Sequence, residues 1–144
     1  MTVLNLEPIC AKWGRAMIEA PTAGNSLDDQ ANTIAKTLGV LVENGLYAMG
    51  VFLLSSKNNA YGARILTEHL TGLWQECNLF EIDEDEPLDK EMALAGIQDI
   101  AENLFKLLLA KKLAEQAMIF ARYHAKAEMA QSSATTSSTT KEQS

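Results

Sequence analysis

The sequence predicts an all-α protein, folded as a compact bundle of five or six helices. Through most of residues 6–130, apolar side chains recur at three- and four-residue steps, and the two-residue alternation of a half-exposed strand is absent. Only eight glycines and three prolines occur in 144 residues, too few for the turns of a loop-rich β-sandwich. Hydrophobic residues make up 47% and charged residues 22% of the chain, the proportions of a globular domain that builds its core without disulfides or metals.

The first two helices are predicted from the residues at their ends. Residues 6–20 form the first helix, which closes at Pro21 because proline disrupts a continuing helix. Ser26 is a favourable N-cap for the second helix, which has acidic residues in its first turn. That helix ends at Asn44, because Gly45 accepts the positive φ that commonly follows a helix. Its apolar stripe comprises Leu27, Ala31, Ile34, Leu38, Leu41 and Val42.

Residues 46–54 form a third helix that is apolar on nearly every side, so we expect it to be buried on most of them. A fourth helix runs from Tyr61 to Cys77 with one apolar face. Residues 89–130 contain no proline, and a single helix of that length would reach about 60 Å, so we predict a break near residues 102–104. The predicted core includes Leu46, Met49, Val51, Phe52, Leu53 and Trp74.

The chain divides into one helical domain, residues 1–130, and a tail, residues 131–144. The tail holds nine serines and threonines and a single hydrophobic residue, Ala134. This composition buries too little apolar surface to offset the entropy lost on ordering. We therefore predict that the tail is disordered.

Charge is unevenly distributed along the chain. Of the net charge of −7, −6 belongs to residues 81–92, which carry seven acidic residues and one lysine. The rest of the chain is close to neutral. Because physiological salt limits the reach of a charge to about 10 Å, clustered bases on a nearly neutral body can still hold a polyanion. The acidic run at 81–86 is interpreted as a solvated loop, with a divalent-cation site as the alternative.

The sequence contains no motif for catalysis, for a cofactor or for a metal. His69 and His124 have no carboxylate or thiol partner at ligand spacing, and no glycine-rich phosphate loop occurs. Cys10 and Cys77 are too few for a disulfide framework, and we interpret them as small core residues. Without a signal peptide or an apolar run of transmembrane length, we expect a cytoplasmic protein that is not an enzyme and binds neither cofactor nor membrane.

Six basic residues are candidates for binding RNA: Lys57, Arg64, Lys111, Lys112, Arg122 and Lys126. Lys57 lies just before the fourth helix and Arg64 lies in its first turn, and the others lie on the last helix. Arg122 and Lys126 are four residues apart, so they share a helix face. The bases of the last helix span about 22 Å, long enough to follow several phosphates. A solvated helix face is the other interpretation of the same pattern.

Three segments present a recognisable order of helices. Residues 34–57 contain a helix that ends in Asn-Gly-Leu, then an apolar helix, then a closing Ser-Lys. Residues 61–74 place Tyr61, His69-Leu70 and Trp74 at the spacing Tyr-x-x-x-x-x-x-x-His-Leu-x-x-x-Trp. Residues 115–126 read Glu-Gln-Ala-Met-Ile-Phe-Ala-Arg-Tyr-His-Ala-Lys. Over a little under half of the chain, this order resembles the small subunit of type III-B CRISPR effector complexes, the Cmr complex.

The resemblance implies a non-catalytic, all-helical subunit. Copies of it would stack head-to-tail beside a filament of larger backbone subunits that hold the guide RNA, and would line the groove where target RNA pairs with the guide. Its contacts would go to phosphate and sugar, because guide pairing supplies the sequence specificity. Cleavage would belong to other subunits. The alternative function is a helical adaptor that binds a protein partner without nucleic acid.

Overall fold

The computed structural model describes residues 5–19, 26–55, 60–81 and 90–142, and for 60, 90 and 132–142 it describes the backbone alone. These ranges form six helices and contain no strand, so the predicted all-α class is confirmed. The helices are α1 Glu7–Glu19, α2 Leu27–Asn44, α3 Leu46–Leu54, α4 Ala60–Glu76, α5 Lys90–Ala101 and α6 Leu104–Glu142. The predicted break falls between α5 and α6, where Asn103 caps α6 by accepting the Lys106 backbone N–H at 3.1 Å.

α6 is the central helix of the bundle, because it contacts each of the other five helices. Its buried positions, mostly alanine, recur at three- and four-residue steps: Ala110, Leu113, Ala114, Ala117, Met118, Ala121 and Ala125. Small side chains on α6 let neighbouring helices approach closely. α1 approaches so closely that a Cβ added at Gly14 would collide with the carbonyl oxygen of Ala117 and lie 3.0 Å from the backbone nitrogen of Ala121.

The two ends of α2 follow the sequence prediction. Ser26 forms a capping box, in which its Oγ accepts the Asp29 backbone N–H at 3.1 Å and its own N–H donates to the Asp29 carboxylate at 3.3 Å. At the other end Gly45 has φ 95°, and its N–H donates to the carbonyl oxygen of Leu41 at 3.0 Å. This positive φ, which glycine adopts readily, lets α3 begin immediately after Gly45.

The prediction that α3 is buried on most sides is confirmed in part, because Tyr47 and Val51 are exposed while its other seven residues are buried or half-buried. Its buried residues form one stripe, comprising Leu46, Met49, Gly50 and Leu53. Val51, which we placed in the core, is 42% exposed, and Phe52 is half-buried. Val42, the last member of the predicted α2 stripe, is 57% exposed. In a bundle this small α3 packs against α2, α4 and α5 but keeps a solvent side, and apolar residues commonly lie on such a surface.

The end of α4 returns the chain to the core. Asn78 has φ 61°, a conformation that asparagine tolerates better than most residues, and the N–H of Leu79 donates to the carbonyl oxygen of Trp74 at 2.7 Å. Phe80 then packs against Trp74, with ring centroids 6.4 Å apart. The Phe80 ring also lies directly against Gly96 of α5, where a Cβ would overlap it.

Several predictions fall on parts of the chain that the structure does not describe. Lys57 and residues 82–86 of the acidic run lie outside the described residues. The backbone of α6 is helical to Glu142, and it therefore enters the segment 131–144 that we predict to be disordered. The division of the chain at residue 130 stays a prediction. Over the described ranges, no helix is both long and apolar enough to cross a membrane.

Candidate nucleic-acid interface

The solvent side of α6 carries most of the basic residues that the sequence offers as candidates. Lys112, Arg122 and Lys126 are exposed, whereas Lys111 is half-buried. Ile119 and Tyr123 lie between them on the same side, opposite the buried alanines. These five residues, Lys112, Ile119, Arg122, Tyr123 and Lys126, recur at three-, four- and seven-residue steps, and we call them the α6 basic face.

The carboxyl-terminal part of the α6 basic face forms a shallow depression. Ile119, Arg122, Tyr123 and Lys126 line it, and its volume is about 280 Å³. Ile119 is partly buried against the hydrophobic core and supplies an apolar floor. Tyr123 is 66% exposed, so much of its ring is open to solvent. The depression therefore combines two cations with an aromatic ring and an apolar contact.

The charges of Arg122 and Lys126 are not neutralised by neighbouring side chains. Within the described ranges, no carboxylate lies within 4.0 Å of either cation. Four other bases are paired, since Lys12 lies against Glu76, Arg15 against Glu19, Arg64 against Glu68 and Lys111 against Glu115. Among the described residues, Lys36, Lys106 and Lys112 resemble Arg122 and Lys126 in having no carboxylate within 4.0 Å. Arg122 and Lys126 are therefore available to an anionic ligand without first breaking an ion pair.

The structure does not place all the candidate bases on one surface. Arg64 lies on α4 and is exposed, and its Nε donates to the carboxylate of Glu68 at 3.1 Å. Lys111 lies beside the α6 basic face, with its Nζ 3.9 Å from the carboxylate of Glu115. Lys112, Arg122 and Lys126 lie on the solvent side of α6, where Arg122 and Lys126 are one helical turn apart.

A second depression, which the sequence did not reveal, lies between α1 and α6. Lys12 and Arg15 of α1 and His124 of α6 line it, and its volume is about 560 Å³. Both α1 cations are already engaged, since Lys12 lies 2.6 Å from Glu76 and Arg15 lies 2.7 Å from Glu19. The hydrogen bond and charge of Glu19 also raise the pKa of Arg15. This groove is therefore a weaker candidate for anion binding than the α6 basic face.

Glu76 ties α1 to α4. Its carboxylate accepts hydrogen bonds from Lys12 Nζ at 2.6 Å and from Trp13 Nε1 at 2.7 Å, and these two bonds lower the pKa of Glu76. The Trp13 ring also meets the His69 ring edge-on, with centroids 6.0 Å apart. His69 Nδ1 lies 2.7 Å from the carbonyl oxygen of Ile65, one turn earlier. More than 50 residues separate α1 from these partners, so no local sequence signal predicts the contact.

The two cysteines lie in the environments expected of structural residues. Cys10 is 2% exposed, and burial raises its pKa to about 11. Burial also raises the pKa of the half-buried Cys77. Both thiols therefore stay protonated at neutral pH, and a protonated thiol is a poor nucleophile and a poor metal ligand. In the described part of the chain, no three histidine, cysteine or acidic side chains gather as a metal site would require.

Comparison with known proteins identifies no relative of this chain. No protein-family model, no curated protein and no solved structure matches it.

Proposed function

We propose that this protein is a non-catalytic RNA-binding subunit of an RNA-guided effector complex of the Cmr type, working in the cytoplasm. In this function the α6 basic face contacts the phosphate backbone of RNA. Sequence specificity comes from pairing between the guide and target strands, so the protein needs no base readout of its own. An all-helical chain in which α6 anchors every other helix is a rigid support for such a surface.

The proposal depends most on the exposure of Arg122 and Lys126 and on their lack of ion pairs. They lie one helical turn apart, they are exposed, and they have no carboxylate within 4.0 Å among the described residues. Cations on a solvated surface of an acidic protein commonly find acidic neighbours, as Arg15 and Arg64 do here. Two adjacent cations without such neighbours favour an external polyanion as their partner.

One observation favours the alternative, a helical adaptor for a protein partner. The first turns of α6 expose Leu104 by 69%, Phe105 by 76% and Leu108 by 58%. Exposed apolar residues that lie together commonly mark a protein contact. In an effector subunit the same three residues would contact the neighbouring copy in the stack. The adaptor therefore differs from the effector subunit in RNA binding rather than in this apolar surface.

The salt dependence of RNA binding tests the proposal. The full chain is purified through a tag from cells that produce it, with its assembly partners, and its affinity for target RNA is measured at several salt concentrations. The variant carries Arg122→Ala and Lys126→Ala together. Each phosphate contact on a single strand contributes about 0.7 to the slope of log affinity against log salt, so we expect the slope to fall by about 1.4. The loss should be the same for targets of different sequence, because no base is read.

A matched control removes the same two charge types elsewhere on the surface. Arg15→Ala with Lys36→Ala takes one arginine from α1 and one lysine from α2, so it changes the net charge equally. We expect this control to retain the wild-type salt slope. If both double variants bind like the wild type, or if no RNA accompanies the purified protein, then the RNA-binding function is wrong and the adaptor is favoured.

A further inference from the structure

Tyr123 has an unusual position on the α6 basic face. Its side chain is 66% exposed, and it lies in the depression between Arg122, Lys126 and the apolar side chain of Ile119. An anion bound by the two cations would lie beside the ring. The contacts of Arg122 and Lys126 with phosphates do not involve this ring.

The chemistry of the depression selects one class of ligand. The two cations attract an anion, and the open aromatic ring offers a stacking surface for a planar group. A single nucleic-acid strand supplies both, because its phosphates pair with cations while its bases stack on aromatic side chains. A base inside a duplex is covered on both faces by its neighbours, so it cannot reach an aromatic ring on the surface of a protein.

We propose that Tyr123 stacks on one unpaired base of an RNA strand while Arg122 and Lys126 bind the phosphates on either side of that nucleotide. This inference rests on the proposed function, since it names the form of RNA that the α6 basic face takes. The two cations are separated by about 6 Å along the helix axis, which suits contacts to one strand rather than to two. Every base has a π-face, so the site accepts any base.

The ring can be tested separately from the charges. The protein is again purified with its partners through a tag on the full chain, and the probes are a short single-stranded RNA and the same RNA annealed to its complement. The variant Tyr123→Leu keeps an exposed apolar side chain but removes the ring, whereas Tyr123→Phe keeps the ring. Tyr47→Leu is the matched control, because Tyr47 is an exposed tyrosine on α3, 44% accessible, away from the α6 basic face.

We expect Tyr123→Leu to weaken binding of the single strand about tenfold without changing the salt slope, because stacking releases no counterions. Tyr123→Phe and Tyr47→Leu should bind like the wild type, and duplex binding should not change in any of the three variants. Fluorescence of a 2-aminopurine base in the strand should report stacking with the wild type and not with Tyr123→Leu. Circular dichroism verifies that each variant keeps its helix content.

The outcomes separate this inference from the proposed function. One outcome is that Tyr123→Leu binds the single strand like the wild type while Arg122→Ala with Lys126→Ala still lowers the salt slope. In that case the proposal that Tyr123 stacks on a base is wrong, and the proposed phosphate contacts are supported. Equal losses for single strand and duplex, or a loss in Tyr123→Phe as well, would also overturn the stacking. If neither the ring variant nor the charge variant changes binding, both proposals are wrong.

Discussion

At the residue scale, Glu76 shows how one surface carboxylate links two helices that are distant in sequence. Hydrogen bonds from Lys12 and Trp13 lower its pKa in the folded protein below the ordinary value of 4.5. The unfolded chain therefore binds the Glu76 proton more tightly than the folded protein does. The contact stabilises the fold above about pH 4.5, and its contribution is lost as the pH falls through the lower, folded-state pKa.

Glu76→Gln should therefore lower the free energy of unfolding at pH 7 and have a smaller effect toward pH 3. The effect at pH 7 should be below about 1 kcal/mol, because the Glu76 side chain is 36% exposed and solvent screens the ion pair. Chemical denaturation across this pH range measures the difference. Glu43→Gln, on the exposed end of α2, is the control for removing one negative charge. A deficit in Glu76→Gln that stays constant down to pH 3 would contradict the assigned cause.

At the element scale, the packing of α1 on α6 depends on the absence of one Cβ. A Cβ at Gly14 would meet the backbone of α6 at Ala117 and Ala121, and backbone atoms of a helix cannot rotate away as a side chain can. Gly14→Ala must therefore move α1 away from the buried alanines of α6. We expect a loss of about 1–3 kcal/mol in the free energy of unfolding, the usual range for overpacking.

Gly39 is the matched control for this substitution. It lies inside α2, it is exposed, and an added Cβ would meet nothing within 4 Å. Alanine restricts the unfolded chain and favours the helix, so Gly39→Ala should stabilise the protein by about 0.5–1 kcal/mol. The two Gly→Ala variants should thus change stability in opposite directions in one denaturation assay. A stabilising Gly14→Ala would mean that α1 does not pack on α6 as closely as the structure shows.

At the scale of the whole molecule, the sequence predicts the elements better than their environments. The helix ends at Ser26, Gly45 and residues 102–104 are predictable, because capping chemistry is local. The exposure of Val51 is not, because a helix that is apolar on nearly every side, as α3 is, does not indicate which side its neighbours cover.

Some features of the candidate site can likewise be predicted from the sequence, and others cannot. The common face of Arg122 and Lys126 follows from helix periodicity alone. The availability of their charges does not, because it depends on where the carboxylates of the other helices lie. The groove beside Lys12 and the contact of Trp13 with Glu76 also need the tertiary arrangement, since they join residues more than 60 positions apart.

The last prediction concerns the association of whole molecules. Stacking requires two unlike surfaces, since a head-to-tail contact is heterologous and open-ended. The described residues offer two exposed apolar sets on different helices. One comprises Leu104, Phe105 and Leu108 of α6, and the other comprises Val42 of α2 and Val51 of α3. Each set is small, so the isolated chain should be a monomer or a weak oligomer in light scattering at micromolar concentration.

Salt should act on this association in the opposite direction from its action on RNA binding. Copies that each carry a net charge of −7 repel one another, and salt screens that repulsion while leaving the apolar contact intact. Raising the salt concentration should therefore strengthen the weak oligomer. Phe105→Ser should abolish it without lowering the free energy of unfolding by more than about 0.5 kcal/mol, because Phe105 is 76% exposed. A tight closed dimer that neither salt nor Phe105→Ser affects would instead indicate a two-fold interface elsewhere, as an adaptor would have.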